Sequence, residues 1–201
     1  VNALQINNNV FSTDTSKIVL TAVKLSQISG SLNVMSNRIF LHKGTADRIG
    51  IELTNSSFTQ NTSAKIANNA ISLVGPNVST NFESFGISLN NISHVDVFYN
   101  TVYMRTSTNS AKSRALSIGE TGSAVRIRNN NLDNQGKGYA IYVEEPSVVV
   151  LSNTNNYTVN GSKFSKWGAD KANLDLLQAT NGMDNLSLSI ENSFLNDSIL
   201  S

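Results

Sequence analysis

The chain has 201 residues, of which 39% are hydrophobic and 14% charged, and its formal net charge is +1. A domain of this length can bury a substantial core, and the scattered, balanced charge gives no electrostatic reason to expect nucleic-acid binding. Without cysteine the chain can form neither a disulfide framework nor a thiolate metal site. No apolar run is long enough to cross a bilayer, so membrane insertion is not expected.

Asparagine is in excess, with 29 residues, and the chain opens at Val1 without a methionine or a signal peptide. Cysteine-free chains rich in amide and hydroxyl side chains are common among exported bacterial proteins. We therefore expect a fragment of a longer exported protein, placed outside a bacterial cell or on its surface. Residues Asn2–Ile6 already read as a strand, so further repeats are expected upstream.

A pattern of eight residues recurs along the chain: apolar, any, apolar, two free positions, asparagine, any, apolar. Its clearest copies lie within LNVMSNRIFL, AKIANNAISL, DVFYNTVYM and VRIRNNNLD. The repeated asparagines are Asn37, Asn69, Asn100 and Asn130, preceded by Asn9 and followed by Asn153 in a degenerate last copy. Successive separations are 28, 32, 31, 30 and 23 residues, which indicates a repeat architecture.

A second short pattern of the form G-I-x-L falls once in each interval. Its copies are Ala22–Leu25, Gly50–Leu53, Gly86–Leu89, Ala115–Ile118 and Ala140–Val143. The period of two within both patterns predicts strands. Because no helix separates them, we predict a parallel β-helix that winds once per repeat. The alternative, an antiparallel sandwich, predicts frequent hairpins and no fixed asparagine register.

Within a coil, alternation predicts which side chains enter the core. Inward positions in the second coil are Leu32, Val34, Ile39 and Leu41, and outward ones are Asn33, Met35, Arg38 and Phe40. The repeated asparagine lies at a sharp bend of two residues, one of which must tolerate positive φ. The preceding residues, Ser36, Asn68, Tyr99 and Asn129, are expected to share that bend. The asparagine itself is predicted to face inward and to stack in a hydrogen-bonded ladder.

The repeat breaks near the C-terminus. We predict coils over residues 1–156 and, in the same structural domain, a capping segment over 157–201. Within Gly168–Gly182 the pattern predicts a short helix with Asp170 as N-cap, Leu174 and Leu177 on one face, and Gly182 as its end. This cap, together with Trp167, would cover the open end of the core.

The asparagine turn and the G-I-x-L strand resemble those of right-handed parallel β-helix proteins of the pectate-lyase-like superfamily. Among these, the chain is most similar to bacterial secreted and cell-surface proteins. The resemblance implies an all-β, right-handed, single-stranded parallel β-helix of five to six coils. That superfamily holds lyases, hydrolases, esterases, adhesins and phage tail proteins, so the resemblance leaves the activity open.

In the resembled enzymes, the substrate lies across the sheet that carries the G-I-x-L strand. Two columns are predicted on its outer face: one of small residues at the first position of each copy, and one comprising Lys24, Glu52, Ser88, Ser117 and Tyr142. A lyase of this fold needs acidic calcium ligands beside a base, and a glycosidase needs two carboxylates. The catalytic candidates are Glu52 with Asp47, supported by Arg48. The alternative is that Glu52 pairs with Lys24 in a solvated cross-strand ion pair.

Aromatic and cationic residues of the last coils suggest a ligand-binding surface instead. The candidates are Tyr142, Phe98, Arg126 and Arg128, whose rings could stack on sugars and whose guanidinium groups could bind hydroxyls. The alternative is that they are ordinary outward residues. His42 and His94 lie in different loops, so no metal site is expected. No cofactor is expected either, except Ca²⁺ under the lyase hypothesis.

The leading hypothesis is a non-catalytic, secreted or surface-exposed β-helix module that interacts with polysaccharide or serves as an adhesin or stalk. The first alternative is a polysaccharide lyase or glycoside hydrolase of the same fold. The second is a purely structural spacer. The expected partner is therefore a polysaccharide or cell-surface glycan, whereas the sequence leaves the oligomeric state open.

Overall fold

The computed structural model describes residues 3–13, 20–42, 47–75, 82–106 and 112–192. Over these residues the chain winds through six coils, each of which adds one strand to each of three sheets. The first three coils comprise β1 (Leu4–Asn7), β2 (Val10–Thr13), β3 (Leu20–Ser26), β4 (Leu32–Met35), β5 (Arg38–Leu41), β6 (Arg48–Ser57), β7 (Ala64–Ala67), β8 (Ala70–Val74) and β9 (Ser84–Ser93). The last three comprise β10 (Val95–Phe98), β11 (Thr101–Arg105), β12 (Ser113–Ile118), the short β13 (Gly122–Ser123), β14 (Val125–Arg128), β15 (Asn131–Asn134), β16 (Tyr139–Val143), β17 (Val149–Asn153), β18 (Asn156–Val159) and β19 (Ser165–Trp167).

Strands of successive coils pair in parallel. Sheet A has the order β1-β4-β7-β10-β14-β17, and sheet B has the order β2-β5-β8-β11-β15-β18. Sheet C contains β3, β6, β9, β12, β16 and β19, with the G-I-x-L segments in its strands, and ends in β20 (Ala169–Lys171), which is antiparallel to β19. The predicted parallel β-helix is confirmed, and the parallel pairing excludes the antiparallel sandwich.

The interior follows the predicted alternation. Leu32, Val34, Ile39 and Leu41 are buried in the core, as predicted. Phe40, which was predicted to point outward, lies outside the core cluster but is only 7% exposed. Its ring is covered by the Arg38 guanidinium, 5.6 Å from the ring centroid, and by the His42 ring at 5.8 Å. Lateral packing between outward side chains therefore buries an aromatic ring outside the main core.

The asparagine ladder runs through all six coils; its first member, Asn9, is exposed, and the later members are buried. At each step the backbone N–H and the Nδ2 of one asparagine donate to the Oδ1 of the next; for Asn37 and Asn69 these distances are 3.0 and 2.9 Å. Nδ2 also donates to a backbone carbonyl of the preceding coil, as from Asn37 to Ile6 O at 2.7 Å. The sixth member is Asn155, which accepts from Asn130 at 3.0 and 3.1 Å. The prediction of Asn153 for that place is wrong.

The bend is divided between two residues with different tasks. Positive φ falls on the residue before each ladder asparagine, with values from 54° to 58°. The six residues of this corner column are Asn8, Ser36, Asn68, Tyr99, Asn129 and Thr154. The ladder asparagine is thus selected for its amide, and its predecessor for the left-handed conformation.

Sheet C departs from strict alternation at its small residues, which were predicted to face outward. Ala115 and Leu116 are both fully buried members of the core, as are Ala140 and Ile141. A Cβ added to Gly50 would lie 2.7 Å from the inward Cγ2 of Ile71. The small column therefore faces the interior, because the strand bends there and places two consecutive residues inside. Because of this bend, the inward and outward positions before it are the reverse of those that alternation from the residues after it would give.

The C-terminal segment covers the last coil with a helix, α1 (Leu174–Asn181). Its N-cap is Asn173, whose side chain accepts from the N–H of Leu176 at 2.9 Å. The predicted cap, Asp170, lies instead in β20, where the antiparallel turn delays the helix start. Gly182 ends the helix with a φ of 61°, as predicted. The predicted capping segment extends beyond residue 192, outside the described residues.

Of the three side chains predicted to cover the core, two are buried and the third, Leu174, is partly buried against it. Leu177 is fully buried and Trp167 is 4% exposed, both within the core cluster. The ladder ends below them at Ser187, whose Oγ accepts from the Asn155 N–H at 3.0 Å. The buried carboxylate of Asp184 accepts from the hydroxyls of Ser187, at 2.7 Å, and Tyr157, at 3.0 Å. These polar residues supply hydrogen-bond partners to the buried polar groups of the last coil, where a seventh asparagine would otherwise be needed.

Candidate functional site

The outer face of sheet C carries the predicted column of outward residues in exact register along the strands. Glu52 pairs with Ser88, Ser88 with Ser117, and Ser117 with Tyr142. Lys166 of the sixth coil extends the column beyond Tyr142. Neighbouring members are about 4.8 Å apart, which is the spacing of paired strands. The column therefore forms a continuous polar track along the solenoid.

A second outward column runs beside the first and begins before the bend in each strand. It contains Phe85, Arg114 and Tyr139 at paired positions. The Arg114 guanidinium lies 5.1 Å from the centroid of the Phe85 ring and 3.5 Å from that of Tyr142. Its Nη1 also donates to Ser117 Oγ at 3.1 Å. Arg114 thus links the two columns and holds the Tyr142 ring against a cation.

These columns form the floor of a groove of about 520 Å³. Its floor contains Phe85, Ser88, Arg114, Ser117 and Tyr142. Its rim carries amide, hydroxyl and carboxylate side chains: Asn90, Thr121, Glu83, Glu120 and Glu144. The groove is therefore lined mainly by hydrogen-bonding and charged side chains, among which stand the rings of Phe85 and Tyr142.

Charge is organised at one end of the groove. Lys166 Nζ lies 2.7 Å from Glu144 Oε1 and 3.0 Å from the Tyr142 hydroxyl, which itself donates to Glu144. Hydrogen bonds from Lys166 and Tyr142 hold the pKa of the Glu144 carboxyl below its usual value. Burial opposes the charge on Lys166, but its hydrogen bonds with Glu144 and Tyr142 outweigh burial and raise its pKa. The pair is therefore ionised at neutral pH and fixes the Tyr142 hydroxyl.

The predicted catalytic residues lie in the first half of β6 or just before it, and Glu52 and Asp47 have different partners. Glu52 lies 3.1 Å from Lys24, in the ion pair that formed the alternative interpretation. The Asp47 carboxylate accepts from the backbone N–H of Glu83 at 2.7 Å. Arg48 is buried, and burial lowers its pKa. Glu52, Asp47 and Arg48 are not among the residues that line the groove described above. Their catalytic role stays a prediction.

The predicted ligand-binding residues are divided between two surfaces. Tyr142 lies in the groove on sheet C, whereas Phe98, Arg126 and Arg128 lie on sheet A. There, Arg126 pairs with Asp96 at 3.6 Å, and the Arg128 guanidinium lies 5.8 Å from the centroid of the Phe98 ring. The four residues therefore cannot form one site, although each surface keeps an aromatic ring beside a cation.

Several groove residues escaped the sequence analysis. Glu120 and Glu144 were not identified, although they lie two residues and one residue after their G-I-x-L segments, in ALSIGE and AIYVEE. Acidic residues at equivalent strand ends of neighbouring coils were the signal that could have found them. Lys166 was missed because the sixth coil does not repeat the pattern.

Residues 3–13, 20–42, 47–75, 82–106 and 112–192 contain neither a metal-binding cluster nor a membrane-spanning helix. In that part of the chain no three His, Asp or Glu side chains are grouped so that they could hold a metal ion. No helix there is long and apolar enough to span a membrane. Comparisons with protein-family models, with curated proteins and with solved structures return no match for this chain.

Proposed function

We propose that this chain is a non-catalytic β-helix module that binds a polysaccharide along the outer face of sheet C. The observation that carries the proposal is the groove in which Tyr142 is stacked on Arg114 beside serine hydroxyls and amide side chains. Sugar rings combine apolar C–H faces with hydroxyls, and both find partners here. A linear glycan running along the coils would meet the same outward position about every 4.8 Å.

We further propose that the chain belongs to the pectate-lyase-like superfamily and acts outside a bacterial cell, in a secreted protein or as part of a surface adhesin or stalk. The asparagine ladder and the G-I-x-L sheet support the superfamily assignment. The low charge content and the lack of cysteine in the sequence are compatible with export.

One carboxyl of the groove, that of Glu144, supports the non-catalytic assignment. A general acid needs a pKa near the working pH. The Glu144 carboxyl has a lowered pKa because it accepts from Lys166 and Tyr142. It is therefore suited to holding a charge network together, and poorly suited to protonating a leaving group.

One observation favours the enzymatic alternative. Three carboxylates, Glu83, Glu120 and Glu144, line the same groove, and glycosidases and lyases both require acidic groups around the scissile bond. If the chain is a polysaccharide lyase or glycoside hydrolase, Glu83 and Glu120 are better placed for catalysis than the residues near Glu52.

Binding should be measured against neutral polysaccharides (cellulose, mannan) and acidic ones (polygalacturonate, alginate), together with the release of reducing or unsaturated sugar. We expect binding without product release, and binding about tenfold weaker in Tyr142→Ala. Lys65→Ala is the control, because Lys65 is exposed on sheet A and lies outside the outer face of sheet C. Product release that is lost in Glu120→Gln would establish the enzyme instead. An absence of binding to all four polysaccharides would favour the structural spacer.

A further inference from the structure

The corner between sheets A and B carries one residue that does not fit its column. Five of the six residues of the corner column are asparagine, serine or threonine, and the fourth coil has Tyr99. Tyr99 has a φ of 57°, a conformation in which a bulky side chain is an outlier. Asparagine, present at the equivalent positions of both neighbouring coils, adopts it readily. Thr154 of the same column is β-branched and has a φ of 56°, so what sets Tyr99 apart is its large ring, which no other residue of the column carries.

The ring of Tyr99 is also presented to solvent. Tyr99 is 57% exposed, although an aromatic side chain gains by burial. It is held in place by Phe98, whose ring meets it edge to face with centroids 5.7 Å apart. The Phe98 ring in turn has the Arg128 guanidinium 5.8 Å from its centroid. Tyr99 is thus an exposed ring supported from one side by a second ring.

Hydrogen-bonding groups flank this ring along the solenoid axis. Asn68 and Asn129 occupy the same corner one coil to either side, about 4.8 Å away along the axis. Asn68 is exposed, Asn129 is half-buried, and Arg128 is exposed on the adjoining edge of sheet A. An apolar partner would leave these amide and guanidinium groups unpaired, which is costly. A hydroxyl-bearing ring would pair with them.

We propose that Tyr99 is a second carbohydrate contact, on which a pyranose ring of a polysaccharide stacks. The side chains of Asn68, Asn129 and Arg128 bind the hydroxyls of that sugar and of its neighbours in the glycan chain. This inference rests on the proposed polysaccharide-binding function, but it assigns a surface separate from the groove on sheet C. Tyr99 retains an unfavourable backbone conformation because the exposed ring serves binding.

The test compares Tyr99→Asn with the wild-type chain on the four polysaccharides named above. Asparagine reproduces the residue of the adjacent coils, so the thermal midpoint should stay equal or rise. Binding should weaken about tenfold, and Tyr99→Phe, which keeps the ring, should retain it. Adding Tyr142→Ala to Tyr99→Asn should weaken binding further, because the two rings lie on different surfaces.

The outcomes separate this inference from the proposed function. If Tyr142→Ala weakens binding and Tyr99→Asn does not, the corner contact is wrong and the groove stands. If Tyr99→Asn lowers the thermal midpoint together with binding, Tyr99 has a structural role and the inference is overturned. If the wild-type chain binds none of the polysaccharides, both proposals fail.

Discussion

Replacing a ladder asparagine in the middle of the solenoid should be far more damaging than replacing the same residue at its open end. In Asn100→Ala, the buried N–H of Asn69 loses the acceptor that it contacts at 3.1 Å, and the buried carbonyl of Ile66 loses its donor at 2.9 Å. Two other groups keep a partner, because Asn69 Nδ2 still bonds Val34 O and Asn130 Oδ1 still accepts the Asn100 N–H.

The size of the effect follows mainly from the orphaned N–H of Asn69, because Ile66 lies in β7, which pairs with a strand on either side, and its carbonyl keeps the sheet ladder. A buried polar group without a partner costs about 1–3 kcal/mol. We expect the free energy of unfolding to fall by about 2–3 kcal/mol in Asn100→Ala. Asn9→Ala is the matched control: Asn9 is exposed, and its backbone N–H keeps its bond to Asn37 Oδ1. That variant should lose about 1 kcal/mol or less.

Urea unfolding followed by far-ultraviolet circular dichroism measures both variants against the wild-type chain. A lower midpoint at an unchanged m-value would show that stability was lost without a change in the surface exposed on unfolding. If the free energy of unfolding falls no more in Asn100→Ala than in Asn9→Ala, the prediction is wrong. In that case the bend residues and the apolar core hold the coils in register, and the amides merely fill the space.

Two further predictions concern a close contact and a buried carboxyl. Gly50→Ala should lower the free energy of unfolding by about 1–3 kcal/mol, because its Cβ would lie 2.5 Å from the Gly86 carbonyl oxygen; an unchanged urea midpoint would contradict this. Burial raises the pKa of Asp133 above its ordinary 3.8, so the native state holds this proton more tightly than the unfolded chain. The contribution of Asp133 to stability is thus fully present below pH 3.8 and is lost as the pH rises through the raised pKa. In Asp133→Asn this loss should vanish, so that its stability relative to wild type increases between about pH 4 and pH 7, whereas parallel curves would contradict it.

The repeat could be predicted because few residue types can form an amide ladder or adopt a left-handed bend, and both recur at a fixed spacing. The wrong prediction of Asn153 as the ladder asparagine of the sixth coil has a physical cause. Five residues separate Val125 from the ladder asparagine of its coil, but six separate Val149 from Asn155, because a bulge between β14 and β17 adds one. The inward position before the bend is also taken by Ser152, whose buried hydroxyl donates to Asp184. A polar residue at a core position hides the pattern unless its partner is known.

The groove was harder to predict than the ladder. Counting back from the inward Leu116 by strict alternation places Arg114 inside the solenoid, and the same count from Ile141 does so for Tyr139. The bend at Ala115 and Ala140 shifts the phase by one residue and turns both side chains outward. Whether two consecutive small residues enter the core depends on the shape of the corner between sheets, which alternation alone does not encode.

A solenoid provides its own comparison set, since equivalent positions recur once per coil within a single chain. A residue that departs from its column for no reason of folding then marks a surface under a different constraint. Tyr142 lies in a column that varies from coil to coil, with Glu52, Ser117 and Lys166 among its members, at an outward strand position where a large side chain is tolerated. Tyr99 departs at a left-handed position, where its bulk is unfavourable and asparagine stands on either side. This unfavourable departure is the stronger indication of function, so the corner at Tyr99 is more specific evidence of a ligand than the larger groove on sheet C.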